Sequence, residues 1–153
     1  MEVSIYSRKS ITPLLGNRIF PQNTAVISFF DPPDGKRKVL DKVDYSAAGV
    51  KVIYVGAWDI DPHVLELKGL TYDEYFPEAD EVAKFILASE REGLSLICQC
   101  EYGESRSAAC AAAIRQYFHG DGIEIFADYS YYPNQMIYHK VYDALIRIGG
   151  KER

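Results

Sequence analysis

The sequence predicts an α/β protein in which helices cover both faces of a central, mostly parallel sheet of four to five strands. Short apolar segments alternate with helical segments along the chain, and this order is typical of a three-layer α/β/α architecture. The third predicted strand is almost continuously apolar, as expected for a parallel strand that is buried on both faces. The length of 153 residues, without repeats or linkers, predicts one domain over residues 1–153.

Five segments have the pattern of β-strands. Each is a short run of aliphatic, β-branched or aromatic residues, and the last has the weakest pattern. The predicted strands are Val3–Tyr6, Ala25–Phe30, Val50–Val55, Leu94–Cys98 and Ile123–Phe126. The turn-forming run Asp31-Pro32-Pro33-Asp34-Gly35 ends the second strand.

Three segments are predicted to be helices. Tyr72–Glu90 has apolar residues at three- and four-residue steps, with charged residues on its opposite face. Ser107–Phe118 is rich in alanine, which favours a helix packed closely against the sheet. Asn134–Ile148 has an apolar stripe at helical spacing, a start signal at Pro133-Asn134 and a stop signal at Gly149-Gly150.

Composition and charge argue against several classes of protein. The chain has 17 Lys and Arg against 22 Asp and Glu, so neither a nucleic acid nor a membrane surface is an expected partner. No apolar run reaches the roughly 20 residues of a membrane span, and residues 1–10 lack the apolar core of a signal peptide. The three cysteines, Cys98, Cys100 and Cys110, are odd in number and crowded together, which indicates free thiols in a reducing compartment. A cytoplasmic location is therefore expected.

The loop between the fourth predicted strand and the alanine-rich helix has the composition of a phosphate-binding site. Ligands of α/β sheets bind at the carboxyl ends of strands, where a loop that opens a helix can point its N–H groups at an anion. Residues 100–107 read CEYGESRS, which is a cysteine, five residues, an arginine and a serine. Gly103 permits a left-handed or closely approaching backbone, and Arg106 can present a planar fork to two phosphate oxygens. The positive field of such a loop is expected to lower the pKa of Cys100.

The spacing suits nucleophilic attack on phosphorus. A thiolate beneath a bound phosphoryl group is placed for in-line attack, while amides and Arg106 stabilise the charge on the other oxygens. Ser107 can donate a hydrogen bond to the sulfur and ease its departure when water cleaves the intermediate. The residues of the predicted phosphate-binding loop are Glu101, Tyr102, Gly103, Glu104, Ser105 and Arg106.

The sequence CEYGESRS, preceded by LSLIC and followed by an alanine-rich helix, resembles the signature loop of cysteine-dependent protein tyrosine phosphatases, in particular the small dual-specificity-like members. The resemblance is strong over residues 94–118 and weaker over the rest of the chain. It implies an α/β/α domain, a phosphocysteine intermediate, and neither a metal nor another cofactor. By this resemblance Cys100 is the nucleophile, Arg106 the phosphate clamp and Ser107 the hydroxyl that assists the second step. The implied substrate is a phosphorylated protein or a small phosphomonoester.

One position departs from the family pattern. The family usually has a histidine before the cysteine, where it helps to organise the loop and support the thiolate, and this chain has Gln99. A glutamine amide can still donate hydrogen bonds to backbone carbonyls. We therefore expect weaker support of the Cys100 thiolate, but not the loss of its reaction with phosphorus. Glu101 and Glu104 make the rim acidic, which disfavours polyanionic substrates such as highly phosphorylated inositides.

The general acid is expected on a separate upstream loop. The first step expels an alkoxide or phenoxide, which leaves readily only when it is protonated. The third predicted strand runs into GAWDIDPH, residues 56–63, which has the order and residue types that the family uses. Asp59 is preferred because Trp58 beside it can anchor or shield the loop, whereas Asp61 precedes a proline and can shape a turn. Asp31, or no acid at all, is the remaining alternative.

Two other functions stay open. The same loop without turnover would form a module that binds phosphate without hydrolysing its esters, and Gln99 is the feature that favours this alternative. A redox or sulfur-transfer role would use Cys98 and Cys100, because a thiolate of low pKa is also prone to oxidation.

Overall fold

A computed structural model describes residues 1–33 and 42–150 of the chain. The elements in chain order are β1 Val3–Ser7, α1 Arg8–Gly16, β2 Thr24–Phe30, a 3₁₀ turn Ser46–Ala48, β3 Lys51–Gly56, α2 Pro62–Leu67, α3 Ala79–Arg91, β4 Ser95–Cys100, α4 Arg106–His119, α5 Ile123–Ala127 and α6 Gln135–Gly149. Asp34 and Gly35, which belong to the predicted turn after the second strand, lie outside the described residues.

The described strands form one parallel sheet in the order β1-β4-β2-β3. The central strand β4 pairs with β1 on one side and with β2 on the other, so that Cys98 lies opposite both Ile5 and Ile27. The predicted α/β class and parallel sheet are confirmed, with four strands in the described part of the chain. Because all strands run in the same direction, their carboxyl ends meet at one edge of the sheet, next to the loop that begins at Cys100.

Helices cover both faces of the sheet, as predicted. The main core lies between one face and helices α3, α4 and α6, and includes Ile86, Ile114 and Ile137. A smaller core on the other face includes Ile11 of α1 and Tyr45 beside the 3₁₀ turn. The alanines of α4 are fully buried, and their small side chains allow this helix to pack closely in the main core.

The predicted fifth strand is wrong, because Ile123–Phe126 lies within α5. The segment turns back onto α4: a Cβ added at Gly122 would lie 2.5 Å from the Ala112 carbonyl oxygen. Only a glycine can approach the α4 backbone this closely. The approach holds the following residues against α4 rather than along an edge of the sheet.

The predicted helix Tyr72–Glu90 begins later than expected, at Ala79. A proline disfavours helical backbone at the residue before it, and Phe76, which precedes Pro77, has a φ of 51°. The side chain of Phe76 is nevertheless buried in the main core. Phe76 is therefore buried from a turn and not from a helix, and Tyr72, the first residue of the apolar spacing, is exposed. No helix in the described ranges combines the length and apolar character that a membrane span requires.

Candidate active site

The predicted phosphate-binding loop lies at the carboxyl edge of the sheet, between β4 and α4. Cys100 is the last residue of β4 and Arg106 is the first residue of α4. Both residues are buried, with 2% and 4% of their surface exposed. The loop thus carries a buried sulfur at one end and a buried guanidinium at the other.

Two polar groups of the loop and helix contact the Cys100 sulfur. The Gly103 N–H donates a hydrogen bond to Sγ over 3.3 Å, and the Ser107 hydroxyl oxygen lies 3.1 Å from the same atom. Both contacts come from residues on the carboxyl side of Cys100, one in the loop and one in the first turn of α4. The contact with Ser107 is the one that the sequence predicts.

The loop packs tightly against the end of β1, and Gly103 makes this possible. Its φ is 69°, and a Cβ at this position would lie 2.8 Å from the backbone nitrogen of Ser7. Both expectations for this glycine, a left-handed conformation and a close backbone approach, are confirmed. Glu101 ties the same loop to α1, because its carbonyl and carboxylate accept hydrogen bonds from the Arg8 backbone N–H and Nε at 3.1 and 2.8 Å.

The Arg106 guanidinium is held by two groups that lie at the ends of neighbouring strands. Its Nη1 donates to Oδ1 of Asp31, which follows β2, at 2.7 Å, and to the carbonyl of Ala57, which follows β3, at 3.0 Å. Its Nε is buried and has no hydrogen-bond partner among the described residues. Buried N–H groups are almost always paired, so this donor is available for an acceptor oxygen that enters the site.

The three candidate acids have different surroundings. Asp59 is exposed on the loop after β3, and its Oδ1 accepts hydrogen bonds from Ser105 Oγ at 2.6 Å and Asn134 Nδ2 at 3.1 Å. Asp61 is the N-cap of α2 and accepts a hydrogen bond from the Val64 N–H. Asp31 pairs with the buried arginine. Asp59 is therefore the candidate that touches the phosphate-binding loop without capping a helix or holding the guanidinium.

Asn134 joins this acid loop to the rest of the site. Its Nδ2 donates to both Asp59 Oδ1 and the Ile60 carbonyl, its Oδ1 caps α6, and its backbone N–H donates to the Ser105 carbonyl. The sequence marked Asn134 as a helix start, and nothing in its spacing indicated the contacts with Asp59.

Tyr75 supports the loop after β3 by donating a hydrogen bond to the Trp58 carbonyl. Burial, together with the nearby negative charge of Asp59, raises the pKa of this phenol.

Gln99 faces the opposite side of the sheet from Cys100. Its Oε1 accepts hydrogen bonds from the hydroxyls of Ser28 at 2.5 Å and Tyr45 at 2.8 Å. Its Nε2 donates to the Cys100 carbonyl at 3.0 Å, which is the type of bond expected of this amide. The buried network fixes the backbone at the point where β4 becomes the loop, and burial raises the pKa of the Tyr45 phenol.

The two other cysteines lie in the core. Cys98 and Cys110 are fully buried, and burial raises the pKa of the Cys98 thiol well above its ordinary value, with a further contribution from the neighbouring Cys110. A thiol of raised pKa is a poor nucleophile at neutral pH.

A cavity of about 460 Å³ adjoins the loop on the side of the candidate acid. Its walls come from the acid loop, the phosphate-binding loop and the start of α6, and include Asp59, Ser105, Tyr132 and Met136. Tyr132 is largely exposed, and its backbone N–H donates to the Glu104 carbonyl at 2.7 Å. Over residues 1–33 and 42–150, no group of three or more His, Cys, Asp or Glu side chains is arranged to hold a metal ion.

Solved phosphatase structures share this fold. Human DUSP28 superposes with a TM-score of 0.57 at 14% identity, covering 98% of this chain and 95% of that one. PTPMT1 in complex with PI(5)P gives a TM-score of 0.57 at 14% identity, covering 97% and 93% of the two chains. A mouse putative dual specificity phosphatase complexed with zinc tungstate gives 0.55 at 15% identity, covering 97% and 84%. No protein-family model and no curated protein matches the sequence. The chain has the fold of the small dual-specificity-like phosphatases of the cysteine-dependent protein tyrosine phosphatase superfamily.

Proposed function

We propose that this chain is a cysteine-dependent phosphatase that hydrolyses phosphomonoesters through a phosphocysteine intermediate. One observation carries the proposal: a single loop holds a buried sulfur in contact with two polar groups, and at its end a buried guanidinium N–H that has no partner in the described part of the chain. A tetrahedral oxyanion bound above Cys100 would supply the missing acceptor for Arg106 Nε. The fold shared with known phosphatases is consistent with this assignment.

In the first step, the Cys100 sulfur attacks phosphorus while the bond to the ester oxygen breaks. The loop amides and the Arg106 guanidinium stabilise the charge on the three remaining phosphoryl oxygens. Asp59, at the rim beside the loop, gives its proton to the departing alkoxide or phenoxide. The products are a thiophosphate on Cys100 and a neutral alcohol or phenol.

In the second step, water attacks the thiophosphate and the phosphorus–sulfur bond breaks. Asp59, now a carboxylate, accepts a proton from the attacking water. The Ser107 hydroxyl, 3.1 Å from the sulfur, donates a hydrogen bond to the departing thiolate. Inorganic phosphate is released, Asp59 is protonated again, and Cys100 is again a thiolate.

The surroundings of the loop favour a phosphoprotein bearing one phosphate at the reacting residue, as for a protein tyrosine or dual-specificity phosphatase. Glu104 and Asp59 are exposed at the rim, where they repel additional negative charge on a ligand. The structural relative PTPMT1 was solved with PI(5)P, a ligand that carries more than one phosphate group. The acidic rim makes a similar polyanionic lipid headgroup a less suitable substrate for this chain.

Hydrolysis of p-nitrophenyl phosphate in the presence of a chelator tests the proposal. We expect release of p-nitrophenol that vanadate inhibits, loss of this activity in Cys100→Ser, and retention in the control Cys110→Ala, which changes a cysteine that packs among alanines. An inactive wild type, or an active Cys100→Ser variant, would contradict the proposal. Binding of a phosphopeptide without release of phosphate would instead identify a phosphate-binding module.

A further inference from the structure

We infer that Asp31 is a positioning residue for the phosphate-binding arginine, an inference that rests on the proposed function. Asp31 directly follows β2, which is the strand paired with β4 on the side toward β3. Its carboxylate oxygen lies 2.7 Å from Nη1 of Arg106, while the arginine side chain is only 5% exposed. The ion pair therefore joins the end of one strand to the first residue of the helix that follows the loop.

The geometry of the guanidinium gives this contact a specific consequence. In an arginine side chain, Nε and Nη2 lie on one edge and present two parallel N–H groups, which is the edge suited to bidentate binding of a phosphate. Both hydrogen bonds that Arg106 donates to described residues start at Nη1, on the remaining corner. Asp31 and Ala57 thus hold the guanidinium by the nitrogen that this bidentate edge does not use.

The buried Nε of Arg106 belongs to the bidentate edge, which Asp31 and Ala57 do not hold. This atom has no acceptor among the described residues, although unpaired buried N–H groups are rare. The guanidinium is therefore fixed before an anion arrives, and no described residue accepts a hydrogen bond from Nε on its bidentate edge. Fixing a binding group in advance strengthens binding, because less side-chain freedom is lost when the ligand enters.

Asp31 differs from Ala57 in supplying a charge. A buried guanidinium without a counterion is strongly unfavourable, and a carboxylate at hydrogen-bond distance offsets this in the absence of substrate. The same ion pair distinguishes Asp31 from Asp59, because a guanidinium holds the Asp31 carboxylate whereas the neutral side chains of Ser105 and Asn134 hold that of Asp59. The two aspartates at this edge of the sheet thus have different tasks: Asp31 orients Arg106, and Asp59 handles the proton.

A double-mutant cycle on the full chain tests the inference, with tungstate as a tetrahedral oxyanion probe whose affinity is measured by calorimetry. Asp31→Ala should raise the Kd of tungstate about tenfold and lower kcat for p-nitrophenyl phosphate, as expected for loss of one charged hydrogen bond. Asp31→Asn keeps an acceptor oxygen, so its loss of tungstate affinity should be smaller than that of Asp31→Ala. In an Arg106→Ala background, Asp31→Ala should cause no further loss, because the residue acts through the arginine.

Asp121→Ala is the matched control. It removes an aspartate paired with Arg115 at the far end of α4 and should leave tungstate affinity unchanged. Two results would overturn the inference. One is an unchanged tungstate affinity in Asp31→Ala, and the other is a loss of affinity on adding Asp31→Ala to Arg106→Ala that equals the loss in the wild-type background. A wild type that binds tungstate but hydrolyses no ester contradicts the proposed function alone, since the cycle is measured by binding. A wild type that does not bind tungstate contradicts both.

Discussion

Ser105 donates a hydrogen bond to Asp59, with 2.6 Å between the hydroxyl and carboxylate oxygens. The contact joins the phosphate-binding loop to the loop that follows β3, and Asn134 reinforces it by donating to the same carboxylate oxygen. Both bonds use Oδ1, and no hydrogen bond within the described residues is donated to Oδ2, the oxygen that would exchange a proton with the substrate in the proposed reaction. A residue of the predicted phosphate-binding loop thus holds the candidate acid beside the candidate active site.

Replacing Asp59 should make the reaction sensitive to the leaving group. Asp59→Asn removes the proton donor but keeps a similar shape, so we expect kcat for phenyl phosphate to fall by about 100-fold or more. The fall for p-nitrophenyl phosphate should be smaller, because p-nitrophenoxide leaves without full protonation. Rates for a series of aryl phosphates measure this dependence.

Asp61→Asn is the matched comparison for Asp59. Asparagine is a good N-cap, so this change should preserve α2 and leave the dependence on the leaving group as in the wild type. If the strong dependence appears in Asp61→Asn and not in Asp59→Asn, the acid is Asp61.

Replacing Gln99 should weaken the fold. Gln99→Leu deprives the buried hydroxyls of Ser28 and Tyr45 of their shared acceptor, and each group left unpaired costs about 1–3 kcal/mol of unfolding free energy. Tyr45→Phe removes one donor and leaves the others paired, so its loss should be smaller, about 1 kcal/mol. Urea unfolding measures both. Equal stability of Gln99→Leu and the wild type would show that the network does not stabilise the protein.

Gly103 should tolerate no side chain. In Gly103→Ala the added Cβ meets the Ser7 backbone, and a φ of 69° is itself unfavourable for alanine. We expect the loop to shift and both oxyanion affinity and kcat to fall at least tenfold. Gly93→Ala is the control, because Gly93 has a φ of 72° but nothing within 4 Å of the added Cβ. It should lower stability by about 1 kcal/mol and leave oxyanion affinity unchanged.

Cys98 should resist alkylation at neutral pH. Its raised pKa keeps it in the thiol form, which is the unreactive form, until the pH rises well above neutral. Iodoacetamide should therefore modify Cys100 first, and tungstate should protect Cys100. Peptide mass spectrometry after timed labelling distinguishes the two sites. Faster labelling of Cys98 than of Cys100 would favour the redox alternative.

The four strands and the helices α4 and α6 could be predicted because their patterns are local. Apolar runs mark the strands, alanines mark α4, and the Pro133-Asn134 start and Gly149-Gly150 stop bracket α6. The position of the phosphate-binding loop followed from the strand that precedes Cys100 and the helix that follows it.

The helices α1 and α2 have start signals that are short or ambiguous in the sequence. The helix α1 contains Pro13, which argues against a helix, and its start depends on a capping box between Ser7 and Ser10. Asp61-Pro62 is a recognisable helix start, an N-cap followed by proline, although a turn has the same sequence. The helix α2 could thus be predicted from the sequence, and α1 could not.

The supporting residues of the site could not be predicted from spacing. Asp31 and Arg106 are far apart in the chain, and their ion pair exists because β2 and β4 are neighbours in the sheet. The contact of Asn134 with Asp59 similarly requires the start of α6 to lie beside the loop after β3. Such contacts depend on strand order and helix packing, which a single sequence does not specify.

Trapping the covalent intermediate tests the central claim most directly. Ser107→Ala removes the hydroxyl 3.1 Å from the Cys100 sulfur, so breakdown of the thiophosphate should slow more than its formation. After reaction with p-nitrophenyl phosphate and a rapid quench, mass spectrometry should find one phosphoryl group on the peptide that contains Cys100. A protein that releases p-nitrophenol without a phosphorylated Cys100, or that carries the phosphoryl group on another residue, would contradict the account.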